Sequence, residues 1–236
     1  PDLEARDLGP RRDVVTRIAR GGEGGRLMQS LFKLCNAVYW LALAVWLAVL
    51  VTAGVSAIAV FTTLGEMDVS LSAYAAFEPD ESEVPNAHAH LAAGHVLEPV
   101  FTTVDFVQFA VIPLMLITLV AQFTVFKQKI RRPANLIRTG CIVIAAGLFA
   151  FHALGRAPQM NRDLHAYWKA AQLGDLTTAL EHRAAFNRRH PTAEAVLNAT
   201  FLLVVVATFA SAVAMTPALP QRRTSELQTP HLARKR

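Results

Sequence analysis

Charged residues leave four long gaps along this chain, and the gaps set its element plan. No charge occurs between Lys33 and Glu66, only Asp105 occurs between Glu98 and Lys127, and none occurs between Arg138 and Arg156 or between Glu194 and Arg222. A helix rises about 1.5 Å per residue, so about 20 mostly apolar residues cross the roughly 30 Å hydrocarbon core. Three gaps are long enough outright. The third suffices once Leu136 and Ile137 are counted and Arg138 snorkels to the interface. The expected fold is all-α, an integral membrane four-helix bundle with spans over about 35–63, 99–126, 135–155 and 193–215.

The polar segments complete the plan. Residues 1–33 read as a basic N-terminal tail with a flexible joint at Gly21-Gly22-Glu23-Gly24-Gly25, 34–216 as the membrane domain, and 217–236 as a basic C-terminal tail. The first apolar run begins more than thirty residues in and far exceeds a signal-peptide core, so it is expected to be retained. Tyr39 and Trp40 suit the headgroup boundary of span one. A helix starting near Pro85-Asn86 prolongs span two. Asn161–Leu173 and Asp175–Arg189 form two short amphipathic helices divided by Gly174, with Leu164, Trp168 and Ala171 on one face. Thr192 caps span four, Glu194 complements its dipole, and Pro217 and Pro220 end it. Small-residue pairs for close helix approach are Ala44/Ala48, Ala53/Ala57, Ala146/Ala150 and Ala207/Ser211.

Composition agrees with the pattern. Of 236 residues, 53% are hydrophobic and 17% charged, with mean hydropathy +0.33. The net charge of +5 does not point to nucleic acid, because the basic residues flank the apolar runs instead of sharing one face. Cys35 and Cys141 form neither a disulfide framework nor a metal-binding spacing.

Loop charge sets the expected orientation. The first loop holds Glu66, Asp68, Glu78, Asp80, Glu81, Glu83 and Glu98 with no Lys or Arg. The second packs Lys127, Lys129, Arg131, Arg132 and Arg138 closely together, and the C-terminal tail carries Arg222, Arg223, Arg234, Lys235 and Arg236. Lys/Arg-rich loops stay cytoplasmic, so both termini are expected inside a bacterial cytoplasmic membrane and the acidic loop outside. The third loop, despite Arg162, Lys169, Arg183, Arg188 and Arg189, must then also lie outside.

Chemistry rests on two groupings. Asp105 lies about two turns inside span two with Gln108 one turn on, and the topology brings His152, Arg156, His190 and Asn198 to a similar depth. A carboxylate at that depth needs a partner. A structural hydrogen-bond and ion-pair network is the favoured reading, and a transport or ligand site the other. The second grouping is His88, His95 and Glu98, which with Thr102 and Asp105 would share one face of a continuous helix and could hold a metal ion. Gly94 and Pro99 are expected to interrupt that helix, and His88/His90 lack the i, i+4 spacing of a preformed chelate, which favours solvated loop histidines. His165 and His182 read as surface residues. No phosphate loop, dinucleotide fingerprint, nucleophile elbow or His-Glu-x-x-His motif occurs, so an ATP-driven pump or known hydrolase is not expected.

Several segments in order carry a resemblance: Tyr39 to Trp46 with Ala59-Val60-Phe61, Ala93-Gly94-His95-Val96 with Val100-Phe101, Leu154 to Pro158, and Phe186-Asn187-Arg188-Arg189-His190 with Leu197-Asn198. Over roughly 38–215 the chain resembles an uncharacterised bacterial four-helix membrane family related to transmembrane protein 205. That resemblance implies architecture and no activity. A looser similarity to four-helix copper-resistance proteins implies a metal or haem role; for a haem subunit, the histidines considered as axial ligands are His152 and His190. The functional expectation is a non-enzymatic accessory or scaffold subunit with a membrane-protein partner or a second copy of itself. The alternatives are a small-solute or metal carrier and a haem-binding redox subunit.

Overall fold

The structure, a computed structural model, describes residues 10–82 and 84–215, with side chains from Gly25 onward. The tail expected over 217–236 and the first residues of the N-terminal tail lie outside the described residues. Five helices follow one another: α1 (Pro10–Gly65), α2 (Ala87–Thr124), α3 (Pro133–Phe151), α4 (Ala157–Gln172) and α5 (Leu176–Met215). A 3-10 turn, Ser72–Tyr74, sits between α1 and α2, and a π turn, His152–Arg156, joins α3 to α4 without a break. Four rods result, Gly25–Gly65, Ala87–Thr124, Pro133–Gln172 and Leu176–Met215, each long and apolar enough to cross a membrane. The chain is an all-α, multi-pass membrane bundle.

The rods have 41, 38, 40 and 40 residues, or about 60 Å each at 1.5 Å per residue, roughly twice the hydrocarbon thickness. α1 packs along α2, and the α3–α4 rod along α5. At one end, here the turn end, α2 turns into α3 and α5 finishes. At the other, the cap end, α4 turns into α5 and the 66–86 loop folds over α2, α4 and α5.

Each rod buries one seam spaced alternately by three and four residues. On α1 it is Tyr39, Leu43, Trp46, Leu50 and Ala53, and on α2 Val104, Gln108, Val111, Met115, Thr118 and Gln122. On α3 it is Asn135, Arg138, Ile142, Ala145 and Phe149, and on α5 Thr200, Val204, Ala207 and Ser211. A repeat near 3.5 is the spacing of helices that cross at a shallow left-handed angle. Of the small-residue pairs, Ala207/Ser211 is buried and Ala53 is buried beside half-buried Ala57. Ala44, Ala48 and Ala150 are exposed, so those positions face away from the seam.

Several expectations are corrected. The two short helices of the third loop are extensions of the membrane rods: α4 continues α3, and α5 begins at Leu176 and runs through Pro191. Thr192 therefore caps nothing. Asp175 does, its Oδ1 accepting the Thr178 N–H at 3.1 Å. α2 is likewise unbroken at Gly94 and Pro99, because one proline forfeits one backbone bond without ending a long helix anchored on both sides. α1 shows no break at the glycine joint. Tyr39 faces the bundle interior instead of the surrounding headgroups or lipid. It is fully buried, and its hydroxyl donates to Ser211 Oγ at 2.6 Å while Ser211 donates to the Ala207 carbonyl. Arg138 does not snorkel and is fully buried. The division at Gly174 and the Leu164–Trp168–Ala171 face stand: Trp168 and Ala171 are buried and Leu164 packs on the same cluster.

Gly174 holds φ +72, and a Cβ there would meet the Cβ of Ala76 at 3.0 Å. Gly174→Ala is therefore expected to destabilise the α4–α5 turn by about 1–2 kcal/mol, read as a lowered unfolding midpoint in detergent. Asp175 beside it has its carboxyl held below the ordinary range by hydrogen bonding from Thr178, the side chain first and the N–H second. A depressed folded-state value contributes stability that is complete above the unfolded value and is lost as pH falls towards the folded one. Asp175→Asn should flatten the fall of the melting midpoint on acidification below about pH 4.

Candidate functional site

Hydrocarbon supplies no hydrogen-bond partners, so the polar side chains within the spans must find one another. Gln108 does so on the α1–α2 seam: its Oε1 accepts from Trp46 Nε1 at 3.0 Å, and both residues are buried. This amide, expected in a structural or ligand-binding cluster with Asp105, ties two helices together.

Asp105, three residues earlier, is half-buried, and His152 lies within its electrostatic reach. His152 opens the π turn, and its Nδ1 is buried without a hydrogen-bond partner. A π turn inserts one residue per turn and re-aims the side chains that follow, a device frequent at functional sites. Arg156 closes the turn with its guanidinium over the Phe151 ring at 5.5 Å. His190, considered for haem ligation, is exposed and stacks on Phe186 at 5.2 Å, and Asn198 is exposed on α5. Among the described residues, Arg156, His190 and Asn198 make no hydrogen bond or ion pair with Asp105 or His152. Of the six clustered positions, Asp105 and His152 lie within electrostatic range of each other, with no hydrogen bond or ion pair between them.

The cap-end histidines serve as brackets. His88 accepts the Leu71 N–H on Nδ1 at 3.0 Å and donates from Nε2 to the Phe77 carbonyl at 3.1 Å, pinning the loop at two points to the start of α2. His95 Nε2 pairs with the Tyr74 hydroxyl at 2.6 Å, and its ring lies 3.9 Å from that of Trp168. Burial pushes the Tyr74 phenol up from its ordinary value. Glu98 pairs with His165 of α4 at 2.5 Å, and the ring centroids of His165 and Trp168 lie 5.3 Å apart. Gly94 is needed for packing here, since a Cβ on it would meet Trp168 Cζ2 at 3.1 Å. Phe77 meets Tyr167 edge-on at 5.9 Å. Asp163 of α4 holds Arg189 of α5, with His182 at 3.8 Å.

His88, His95 and Glu98 are thus each committed to a different neighbour, and among the described residues no three His, Cys, Asp or Glu side chains converge on a metal position. The metal grouping is not assembled by the fold, because the loop and α4 take up its ligand atoms. His165, expected at the surface, is exposed yet engaged.

Sequence reasoning missed the turn-end site. Arg138 donates from Nη2 to Gln122 Oε1 at 2.7 Å and Gln128 Oε1 at 3.0 Å, and its guanidinium lies 5.5 Å from the ring centroids of both Tyr39 and Phe123. Nε and Nη1 have no partner, nor do Gln122 Nε2 and Asn135 Oδ1. The available signal was register: Arg138 falls three residues after Asn135 and four before Ile142.

Comparisons with protein-family models, with curated proteins and with solved structures find no match for the chain.

Trp46→Phe leaves the Gln108 carbonyl oxygen buried without its donor and is expected to cost about 1–3 kcal/mol. Adding Gln108→Leu should recover part of that loss, and a double-mutant cycle on unfolding in mixed detergent measures the coupling.

Proposed function

We propose that this chain is a non-enzymatic integral membrane protein, an accessory or scaffold subunit of a membrane assembly. The observation that carries the reading is the cap: a loop bracketed by His88 and His95 onto helices that continue rigidly out of the membrane, with the Tyr74, Phe77, Leu91 and Trp168 side chains as its core. Such an element is built to present a surface, and its polar groups are spent on each other instead of converging on a substrate-sized cavity. Loop charge supports a cap on the non-cytoplasmic side of a bacterial inner membrane with both termini cytoplasmic, since Lys127, Lys129, Arg131 and Arg132 gather at the turn end. Kinship with the family related to transmembrane protein 205 belongs to the same proposal.

A second reading, a proton- or cation-coupled carrier, is favoured by one observation: half-buried Asp105 lies within electrostatic range of His152, whose buried Nδ1 has no hydrogen-bond partner, at a π turn within the spans.

Purification of the full chain in mild detergent, followed by native mass measurement, separates the two. A stoichiometric complex heavier than the 25.7 kDa chain, weakened by Trp168→Ala, is the expected result. A lone chain whose reconstituted liposomes show a pH-driven flux abolished by Asp105→Asn would replace the scaffold reading with the carrier.

A further inference from the structure

The turn end holds a cation whose counter-ion is missing from the described part of the chain. Arg138 is fully buried, and arginine keeps its charge in proteins. It carries five N–H groups: those on Nη2 have the two glutamine acceptors, the Tyr39 phenol oxygen lies within interacting range of the guanidinium, and Nε and Nη1 make no well-formed hydrogen bond. Among the residues with described side chains, no carboxylate pairs with it. Among residues with described side chains, the segments at this end, 25–45, 110–150 and 200–215, contain no Asp or Glu. The same segments contain Arg26, Lys33, Lys127, Lys129, Arg131 and Arg132, whose field concentrates anions.

The unpaired atoms define the missing group. Arg138 Nε and Nη1 and Gln122 Nε2 are donors that want anionic oxygens, while Asn135 Oδ1 is an acceptor that wants a hydroxyl. Arg138 stands five residues into α3 from Pro133, about 8 Å along the axis from the Lys127–Arg132 basic turn that loop charge assigns to the membrane surface. An apolar groove of about 480 Å³ runs between the start of the α1 rod (Met28, Phe32) and the end of α2 (Val125, Phe126), and Gln128, the side chain that bonds Arg138, lines it; Arg138 itself lies behind Gln128, which must swing aside for a headgroup to reach the guanidinium.

We propose that Arg138, Gln122 and Asn135 bind the headgroup of an anionic phospholipid, its phosphate on the guanidinium, a headgroup hydroxyl on Asn135 Oδ1 and an acyl chain along the Met28–Phe126 groove. Planar, always-charged arginine suits phosphate oxygens better than lysine does. This assignment stands apart from the scaffold reading and uses none of its residues.

The test follows thermal unfolding of the full chain in dodecyl maltoside by tryptophan fluorescence, with added phosphatidylglycerol, phosphatidylcholine or inorganic phosphate. Phosphatidylglycerol is expected to raise the midpoint by about 3 °C or more, with little effect from the other two. Arg138→Gln should lose the shift, and Arg138→Lys should weaken phosphatidylglycerol binding about tenfold, whereas Lys127→Gln at an exposed position should keep it. Native mass spectra of the wild-type chain should show one retained phosphatidylglycerol. Equal shifts from phosphatidylcholine, an equal shift from inorganic phosphate alone, or a shift preserved in folded Arg138→Gln would each overturn the assignment. Should Arg138→Gln fail to fold, unchanged phosphatidylglycerol affinity in Arg138→Lys overturns it.

Discussion

Every hydrogen-bonding side chain placed at membrane depth must be answered from within the chain or by a bound group, because hydrocarbon answers none. That constraint explains why the seams carry Tyr39, Trp46, Gln108, Gln122, Arg138 and Ser211 among small and aliphatic residues. Trp46 with Gln108 closes the α1–α2 interface, and Tyr39 with Ser211 joins the two hairpins across the bundle. These pairs fix register as well as contribute energy. A one-residue slip of α1 would strand an indole N–H and a phenol in lipid.

The same constraint decides what could be read from the residues alone. Four spans were legible because charge is excluded over a bilayer's thickness. The inward faces were not, because lipid is as apolar as the seam and hydrophobic periodicity loses its contrast. The polar residues were the better markers: Gln108, Thr118 and Gln122 on α2, and Asn135 and Arg138 on α3, fall on the buried repeat. For Tyr39 and Arg138 the rules for interfacial side chains pointed outward, whereas both side chains turn inward to internal partners. Breaker rules misled for a related reason. Pro99 and Pro191 sit in helices fastened along most of their length, so one lost backbone bond does not end them.

At the candidate sites, Asp105 was visible from its charge and His152 from the antiparallel topology. The π turn that His152 opens is not announced by any spacing rule. The cap histidines show the opposite case. His88, His95 and Glu98 share residue types with metal centres, but the loop carrying Leu71, Tyr74 and Phe77 claims two of them and His165 claims the third. Chemistry-bearing types at suggestive spacing do not reveal what competes for their lone pairs, since the competitors come from distant segments.

The rods also have a mechanical meaning. Because each helix continues unbroken from bilayer to cap, no joint separates the immersed half from the emergent half. A change of 10° in tilt, as a bilayer of different thickness would impose, swings a 30 Å emergent arm sideways by roughly 5 Å. Lipid thickness and the position of the projecting head are therefore one coordinate, geared through the stiffness of the helices.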